Sequence, residues 1–242
     1  MILFSLFRRR GAANILKEDA VPKHVAFIMD GNRRWARRRG RPAFWGHQQG
    51  AKVIETVARH LFDRGVQAIS LYTFSVENWG RPKEEVDFLM KLIADEMPAQ
   101  IKRAQKEGVR IRFIGRRDRV PKKIIRMFEK AEKDTAENTR GTLAFAIDYS
   151  GQDEIIRATN AAIEMGASVD AEGFETFMDT GDLLPIDLVV RTSGEQRVSN
   201  FMLWKLAYAE LVFIPEDWPD MSDKILNRIL ADFTTRKRRF GK

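Results

Sequence analysis

Residues 24–34 read HVAFIMDGNRR, an apolar run that ends in aspartate, glycine, asparagine and two arginines. Five more short apolar runs rich in Val, Ile and Phe follow, separated by longer amphipathic segments. Such nearly continuous apolarity is typical of strands that are buried on both faces. The runs predict strands at residues 24–30, 68–74, 110–115, 142–148, 187–193 and 211–215.

The amphipathic segments between the runs predict helices. Pro82 and Pro121 lie near two of the starts, where a missing backbone N–H costs nothing. Alternating strands and helices predict the α/β class: one domain at 22–242, with a mainly parallel six-stranded sheet and helices on both faces, after an N-terminal tail at 1–21. The predicted helices are 48–64, 82–106, 121–138, 152–164, 199–209 and 222–238.

The composition limits the partners and the compartment. A formal charge of +8 over 242 residues favours anionic partners, such as phosphorylated metabolites, nucleic acid or an acidic membrane surface. The absence of cysteine excludes disulfides and cysteine-based zinc sites.

The opening MILFSLF is far shorter than the roughly 20 residues that span a bilayer. Arginines follow it, whereas a signal peptide has its charge first, so an interfacial anchor and a frayed end both stay open.

The first candidate site follows the first predicted strand, because ligands of open parallel sheets bind at the carboxyl ends of the strands. Asp30 ends the strand, Gly31 allows a turn, and Arg33 and Arg34 begin a helix. Free N–H groups at a helix start and guanidinium groups attract anions. A carboxylate beside an anion site repels the anion unless a divalent cation bridges them, although an aspartate N-cap, worth about 1 kcal/mol, is the simpler alternative.

Two further loops follow predicted strands. Residues 74–82 read FSVENWGRP, which on its own is explained by a helix cap with core aromatics. Residues 191–200 read RTSGEQRVSN, where two arginines and several hydroxyls around one glycine predict a second anion site. Glu210 closes the helix predicted after it and is expected to reach Asp30, where two carboxylates with phosphate oxygens and water suit Mg²⁺.

His47 follows Gly46 at the start of a predicted helix. Beside a diphosphate it is expected to donate a hydrogen bond and to carry charge near neutral pH, while a cap or packing role is the alternative.

The sequence has no G-x-G-x-x-G after a strand and no G-x-x-x-x-G-K-[ST]. Dinucleotide binding is therefore unsupported, and a P-loop NTPase is excluded.

Five blocks of the sequence resemble the signature of the cis-prenyltransferase family, in order and spacing. They are HVAFIMDGNRRWA, GHQQGA, FSVENWGRP, DLVVRTSGEQRVSNFMLW and YAELVF. The resemblance runs from about His24 to Gly241. It implies a cytoplasmic, Mg²⁺-dependent homodimer, with peripheral contact at the inner face of the membrane as a further expectation. The implied reaction joins isopentenyl diphosphate to an allylic diphosphate, expected to be farnesyl diphosphate, in cis configuration. The implied product is a polyprenyl diphosphate such as undecaprenyl diphosphate, the lipid carrier precursor for cell-wall synthesis.

The resemblance also implies roles for individual residues. Asp30 and Asn78 are expected to be catalytic, and Asp30 with Glu210 to hold Mg²⁺. Arg239 and Gly241 match an R-x-G element that completes the partner subunit's site. The substrate-binding set is Gly31, Asn32, Arg33, Arg34, Trp35, His47 and Arg81 on the allylic side, Arg191, Arg197 and Ser199 on the isopentenyl side, and Ser75, Glu77 and Trp79 in the loop between.

A growing prenyl chain requires an apolar tunnel, expected between the helices predicted at 48–64 and 82–106. Two departures from the family pattern bear on the site. Ala43 stands where many members have an arginine, which Arg41 is a candidate to replace, and residues 148–152 read DYSGQ where members read NYGGR. The tunnel candidates are Leu61, Phe62, Phe88, Leu89, Leu92 and Ile93.

Three alternatives compete with this interpretation. A nucleic-acid-binding protein would interleave aromatic and basic residues on one exposed surface, whereas the aromatics here lie inside apolar runs. A non-catalytic subunit of a heteromeric enzyme would tend to lose the first aspartate motif, which is intact at residues 30–35. A short-chain cis-prenyl diphosphate synthase is not excluded by the sequence.

Overall fold

The computed structural model describes residues 21–236. Six parallel strands form one sheet in the order β3-β4-β2-β1-β5-β6, which confirms the predicted sheet. The strands are β1 (His24–Ile28), β2 (Ala68–Ser75), β3 (Val109–Ile114), β4 (Gly141–Tyr149), β5 (Leu188–Arg191) and β6 (Glu210–Phe213). The predicted tail at 1–20 and the Arg239-x-Gly241 element lie outside the described residues.

The helices within residues 21–236 are α1 (Asn32–Arg38), α2 (Ala43–Phe62), α3 (Lys83–Lys106), α4 (Lys122–Asp134), α5 (Gly151–Glu164), α6 (Ala171–Glu175) and α7 (Asp223–Thr235). Pro82 and Pro121 directly precede α3 and α4, as expected. Helix α2 begins earlier than predicted, so His47 lies inside it rather than at its start. None of the helices described in this part of the chain has the length and apolarity needed to cross a membrane.

The side chains of β1 alternate between two cores on opposite faces of the sheet, as strand geometry requires. Val25 and Phe27 enter the larger core, which is built with α2, α3, α4 and α7. Ala26 and Ile28 enter a smaller core on the other face. Helices α5 and α6 border an irregular segment on that second face, where the ring of Phe174 lies 5.0 Å from that of Trp204.

The helix predicted at 199–209 is wrong, because this segment is a series of turns. Ser199, Asn200 and Met202 have φ values of 47°, 63° and 41°, which a right-handed helix does not allow. The carbonyl of Asn200 instead accepts from the backbone N–H of Gly151 at 2.7 Å. The apolar residues that suggested a helix fill the smaller core, where Phe201 and Met202 are fully buried.

Strand β1 marks the switch point of the sheet. It pairs with β2 on one side and with β5 on the other, so the chain leaves β1 in one direction and returns later on its far side. A crevice forms at such a point, outside the carboxyl ends of the strands. Asp30 follows β1, and Arg191 is the last residue of β5. The topology therefore brings the two predicted anion-binding loops together.

Candidate active site

A cavity of about 660 Å³ opens beside the carboxyl ends of β1, β2 and β5 and extends between α2 and α3. One part of its lining is charged or hydrogen-bonding, and the other is apolar. The predicted residues that line it are Asp30, Asn32, His47, Ser75, Glu77, Asn78, Arg81, Leu89, Leu92, Ile93, Arg191 and Ser199. The cavity therefore joins an anion-binding end to an apolar chamber.

Asp30 and Arg191 form an ion pair in the polar part of the cavity. Nη2 of Arg191 donates to Oδ2 of Asp30 at 2.9 Å, and the backbone N–H of Gly31 donates to Oδ1 at 2.7 Å. The side chain of Arg191 is only 5% exposed, whereas that of Asp30 is 31% exposed. The N-cap position of α1 is Gly31, so the simple N-cap alternative for Asp30 is wrong. Asp30 neutralises a buried cation and still faces the cavity.

Arg191 also fixes the loop that follows β5. Its Nη1 donates to Oγ of Ser199 and to the carbonyl of Arg197, both at 2.7 Å. Its Nε is buried and has no hydrogen-bond acceptor among the described residues. Buried donors are normally paired, and an unpaired one beside a cavity suits a site that receives an oxyanion.

Glu195 joins the two predicted anion-binding loops at the rim of the site. It accepts from Nη1 of Arg197 at 2.5 Å and lies 3.0 Å from Nη2 of Arg34. Hydrogen bonding from Arg197, with the charges of Arg197 and Arg34, lowers the pKa of Glu195. The two arginine side chains are 58% and 45% exposed, and exposed ion pairs of this kind stabilise little. Both guanidinium groups are therefore available to a stronger anion.

Two glycines let α2 approach the start of α1. A Cβ at Gly46 would collide with the carbonyl of Asn32, and a Cβ at Gly50 would collide with its side chain. The Oδ1 atom of Asn32 is buried and has no donor within residues 21–236. The G-H-x-x-G spacing therefore places His47 and Asn32 side by side on the cavity wall.

His47 is neutral at pH 7 in this structure. Burial, reinforced by the charge of Arg81, lowers its pKa to about 4. The expected charge near neutral pH concerns the ring beside a bound diphosphate and stays a prediction. Nε2 is buried without a partner in the described part of the chain. A diphosphate at this point would favour the protonated ring and raise the pKa.

The loop after β2 is a 3₁₀ helix, Val76–Gly80, that presents polar groups to the cavity. Oδ1 of Asn78 accepts from the backbone N–H of Ser75 at 3.1 Å and caps the helix. Nη1 of Arg81 donates to Glu85 at 2.9 Å. The cap alternative for this loop therefore holds, and the same residues also line the site.

Trp35 and Trp79 do not line the cavity, so their role as substrate contacts stays a prediction. The indole N–H of Trp79 donates to Asp148 at 2.7 Å. The indole N–H of Trp35 donates to Asp220 at 2.5 Å, and its ring stacks on Trp45 at 4.7 Å. The indole N–H of each tryptophan therefore bonds to a residue outside the cavity lining. These bonds anchor the elements that carry the cavity residues.

Glu210 does not lie near Asp30 in one chain. It begins β6 and pairs with Leu188, the first residue of β5, whereas Arg191 at the end of β5 bonds to Asp30. Because the strands are parallel, the connection from β5 returns Glu210 to the amino edge of the sheet. There it accepts from Arg236 at 3.1 Å. The prediction that Glu210 and Asp30 share a metal within one chain is therefore wrong.

The backbone at Asp30 is held by the segment that follows β6, which sequence reasoning missed. The N–H of Trp218 donates to the carbonyl of Asp30 at 3.0 Å. Asp217 is buried, accepts from Oγ of Ser193 at 2.6 Å and pairs with Arg38. Nothing at these positions signals a site, because their partners are more than 20 residues away.

Further cavity residues were also missed. Gln152 and Asn200 follow strand ends, so the same carboxyl-end rule predicts their place once the strand bounds are known. Nδ2 of Asn200 donates to Oγ of Ser150 at 2.6 Å, which ties the loops after β4 and β5 together. The remaining polar additions are Tyr72, Thr73 and Glu96.

Asp148 and Arg41 bear on the departures from the family pattern. Asp148 is fully buried and pairs with Arg119. The guanidinium of Arg41, the candidate to replace an arginine at Ala43, lies 5.7 Å from the ring of Trp45 and outside the cavity lining.

Half of the tunnel candidates lie on the cavity. Leu89, Leu92 and Ile93 line it from α3. Leu61 and Phe62 lie in the larger core instead, and the ring of Phe88 packs 5.5 Å from that of Phe44.

The sequence matches one family model and many curated proteins. The model described as "Putative undecaprenyl diphosphate synthase" matches residues 28–241. An isoprenyl transferase of Neisseria meningitidis is 42% identical over 229 residues, covering 94% of this chain and 92% of that protein. A farnesyl-diphosphate-specific ditrans,polycis-undecaprenyl-diphosphate synthase of Vibrio cholerae is 41% identical, and 93% of each chain is covered.

Two solved structures share the fold. Lavandulyl diphosphate synthase from Lavandula x intermedia, in complex with dimethylallyl diphosphate, matches with a TM-score of 0.87 and 31% identity, covering 93% of this chain and 100% of that one. A probable undecaprenyl diphosphate synthase from Campylobacter jejuni matches with a TM-score of 0.79 and 32% identity, covering 91% and 99%.

Proposed function

The chain belongs to the undecaprenyl diphosphate synthase family of isoprenyl transferases, and from this membership we propose that it elongates an allylic diphosphate with isopentenyl diphosphate in cis configuration. Farnesyl diphosphate is the proposed starter, and a polyprenyl diphosphate such as undecaprenyl diphosphate, the lipid carrier precursor for cell-wall synthesis, is the proposed product. The observation that carries the proposal is one cavity with an anion-binding end and an apolar chamber.

Each anion-binding loop is assigned one diphosphate. Arg34, His47 and Arg81, with the backbone at Gly31 and Asn32, are proposed to hold the allylic diphosphate, and Arg33 lies beside them. Arg191, Arg197 and Ser199 are proposed to hold isopentenyl diphosphate. This division follows the chain, because the first set belongs to the elements after β1 and β2 and the second to the loop after β5.

The reaction breaks the allylic C–O bond and joins the allylic carbon to the double bond of isopentenyl diphosphate, with loss of a proton. Negative charge grows on the departing diphosphate, where guanidinium groups stabilise it. Asn78 is proposed to act beside the reacting carbons, because its Oδ1 is held by the cap and the residue lines the cavity.

The proposed metal is Mg²⁺, bound by Asp30 together with diphosphate oxygens and water. Magnesium sites at phosphates commonly use only one or two carboxylates, and Asp30 is a partly exposed carboxylate beside the anion-binding groups. No cluster of three His, Asp or Glu side chains that would hold a metal alone occurs within residues 21–236, and diphosphate oxygens and water are proposed to complete the set. When bound, Mg²⁺ would neutralise charge on the diphosphate oxygens.

The active form is proposed to be a homodimer in which Arg239 and Gly241 complete the partner's site. Arg236, just past α7, donates to Glu210 and to the carbonyl of Leu211, both at 3.1 Å. The chain therefore leaves its last described helix at the amino edge of β6, opposite to its own Asp30. A cytoplasmic location with peripheral membrane contact stays a prediction.

Incubation with labelled isopentenyl diphosphate, farnesyl or geranyl diphosphate and Mg²⁺, followed by sizing of the products, tests the proposal. Long cis-polyprenyl products support it, and products that stop at farnesyl length favour the short-chain alternative. A folded protein that incorporates no label would contradict both.

A further inference from the structure

The apolar chamber is interrupted by one carboxylate. Leu89, Leu92, Ile93 and Glu96 all line the cavity from α3. Their spacing of i, i+3, i+4 and i+7 places them on one helix face, where an amphipathic pattern calls for an apolar residue at every position. Glu96 is half-buried and has no hydrogen bond or ion pair with another described residue.

Glu96 lies at the end of the chamber remote from the anion-binding groups. Arg81, which precedes α3, lines the polar part, and the lining continues along α3 to Glu96. At 1.5 Å per residue, Glu96 is about 10 Å beyond Leu89 along the helix. One turn later, Nε2 of Gln100 donates to the carbonyl of Ala51 at 3.3 Å. This bond ties α3 to α2 just past Glu96.

We propose that Glu96 sets the length of the product by meeting the apolar end of the growing chain, an inference that rests on the proposed function. Each addition occurs at the diphosphate end and pushes the hydrocarbon end farther into the chamber. Once that end reaches Glu96, further growth must strip water from an ionised carboxylate and leave it against hydrocarbon, which is unfavourable. Release of the product then competes with another addition.

Asp95 provides a matched control for this test. It lies on the same turn of α3 but faces solvent, is 58% exposed and pairs with Lys91 at 2.7 Å. Glu96→Leu and Asp95→Leu each replace one acid by leucine, but only the first change faces the chamber. Glu96→Gln keeps the size and removes the charge.

The experiment compares product lengths of these variants with farnesyl diphosphate, labelled isopentenyl diphosphate and Mg²⁺. Glu96→Leu should lengthen the main product by at least one isoprene unit, Glu96→Gln should shift it in the same direction, and Asp95→Leu should match the wild type. Unchanged or shorter products from Glu96→Leu, with an active wild type, would overturn this inference alone. If Glu96→Leu fails to fold, the product length of Glu96→Gln tests the inference by the same criterion. A folded wild type without any incorporation would overturn the proposed function, and this inference with it.

Discussion

The guanidinium of Arg191 lies 2.9 Å from the carboxylate of Asp30, so the ends of β5 and β1 meet in one ion pair inside the cavity. Each group limits the other's freedom, because a buried arginine needs a counter-charge and Asp30 supplies it from the cavity side. A ligand that binds here must take over part of this pairing.

Asp30→Asn is expected to lower kcat at least about a hundredfold, some 2.7 kcal/mol, because the carboxylate proposed to hold the metal is lost. The protein should stay folded and still bind allylic diphosphate, as measured by circular dichroism and a direct binding titration. Asp87→Asn, at an exposed position of α3, is the matched control. A kcat for Asp30→Asn within about tenfold of wild type would sink the assigned role.

Substitutions of Arg34 and Arg197, which both contact Glu195, should change the KM values of the two substrates differently. Arg197→Ala should raise KM for isopentenyl diphosphate more than for farnesyl diphosphate, and Arg34→Ala should do the reverse, because the two residues serve different loops. Steady-state kinetics with each substrate varied in turn measures the split. Equal effects on both substrates from both variants would show that the loop assignment is incorrect.

Acid should destabilise the protein through His24 and His47. Burial lowers both pKa values from 6.5 to about 4, so between these values the unfolded chain binds more protons than the folded one. Stability is therefore full above about pH 6.5 and falls as pH drops toward 4, by up to about 1.4 kcal/mol per pH unit for each group. His47→Gln should flatten this slope in urea unfolding measured across the window. An unchanged slope would mean that His47 does not titrate as described.

Trp79→Phe should cost about 1–3 kcal/mol of folding free energy, because it removes a hydrogen bond to the buried carboxylate of Asp148 and keeps an aromatic ring. Trp45→Phe is the control, since the Trp45 indole N–H makes no hydrogen bond within residues 21–236 and only its ring stacking is altered. Denaturant unfolding of both variants gives the comparison, and equal losses would argue against the hydrogen bond as the cause.

Removal of residues 239–242 should leave the fold and the dimer intact and cut kcat/KM at least about a hundredfold, some 2.7 kcal/mol. A mixed dimer of this truncated chain with a full-length Asp30→Ala chain then separates the two geometries. One site per dimer recovers if the tail serves the partner, and none recovers if it serves its own subunit. Full activity of the simple truncation would remove any role for the tail.

The sequence predicts the sheet well because buried parallel strands are marked locally by continuous apolarity, as in β1. It also predicts which residues gather at the carboxyl edge, because topology sends Asp30, Ser75 and Arg191 there. Prediction from sequence fails where the local apolar pattern favours one secondary structure and the tertiary packing requires another. The run around Phe201 resembles a helix, but its positive φ angles arise from packing against the second face.

The errors at the site share one physical origin. The sequence shows which residues follow a strand but not where each side chain points, and the indole N–H of Trp79, in the loop after β2, bonds to Asp148. The run before Glu210 resembles a helix that Glu210 would close, whereas Glu210 begins β6. Asp217 could not be found, since its partners Ser193 and Arg38 come from distant elements.

The hydrogen bond from Trp218 to the carbonyl of Asp30 bears on how the protein is made. During synthesis, Asp30 leaves the ribosome 188 residues before Trp218 does, and its strand neighbour β5 also emerges late. The contact that holds the backbone of Asp30 can therefore form only after the segment that follows β6 has been made. An interrupted chain that stops before Trp218 would carry the first anion-binding motif complete in sequence but would lack the contact that shapes it.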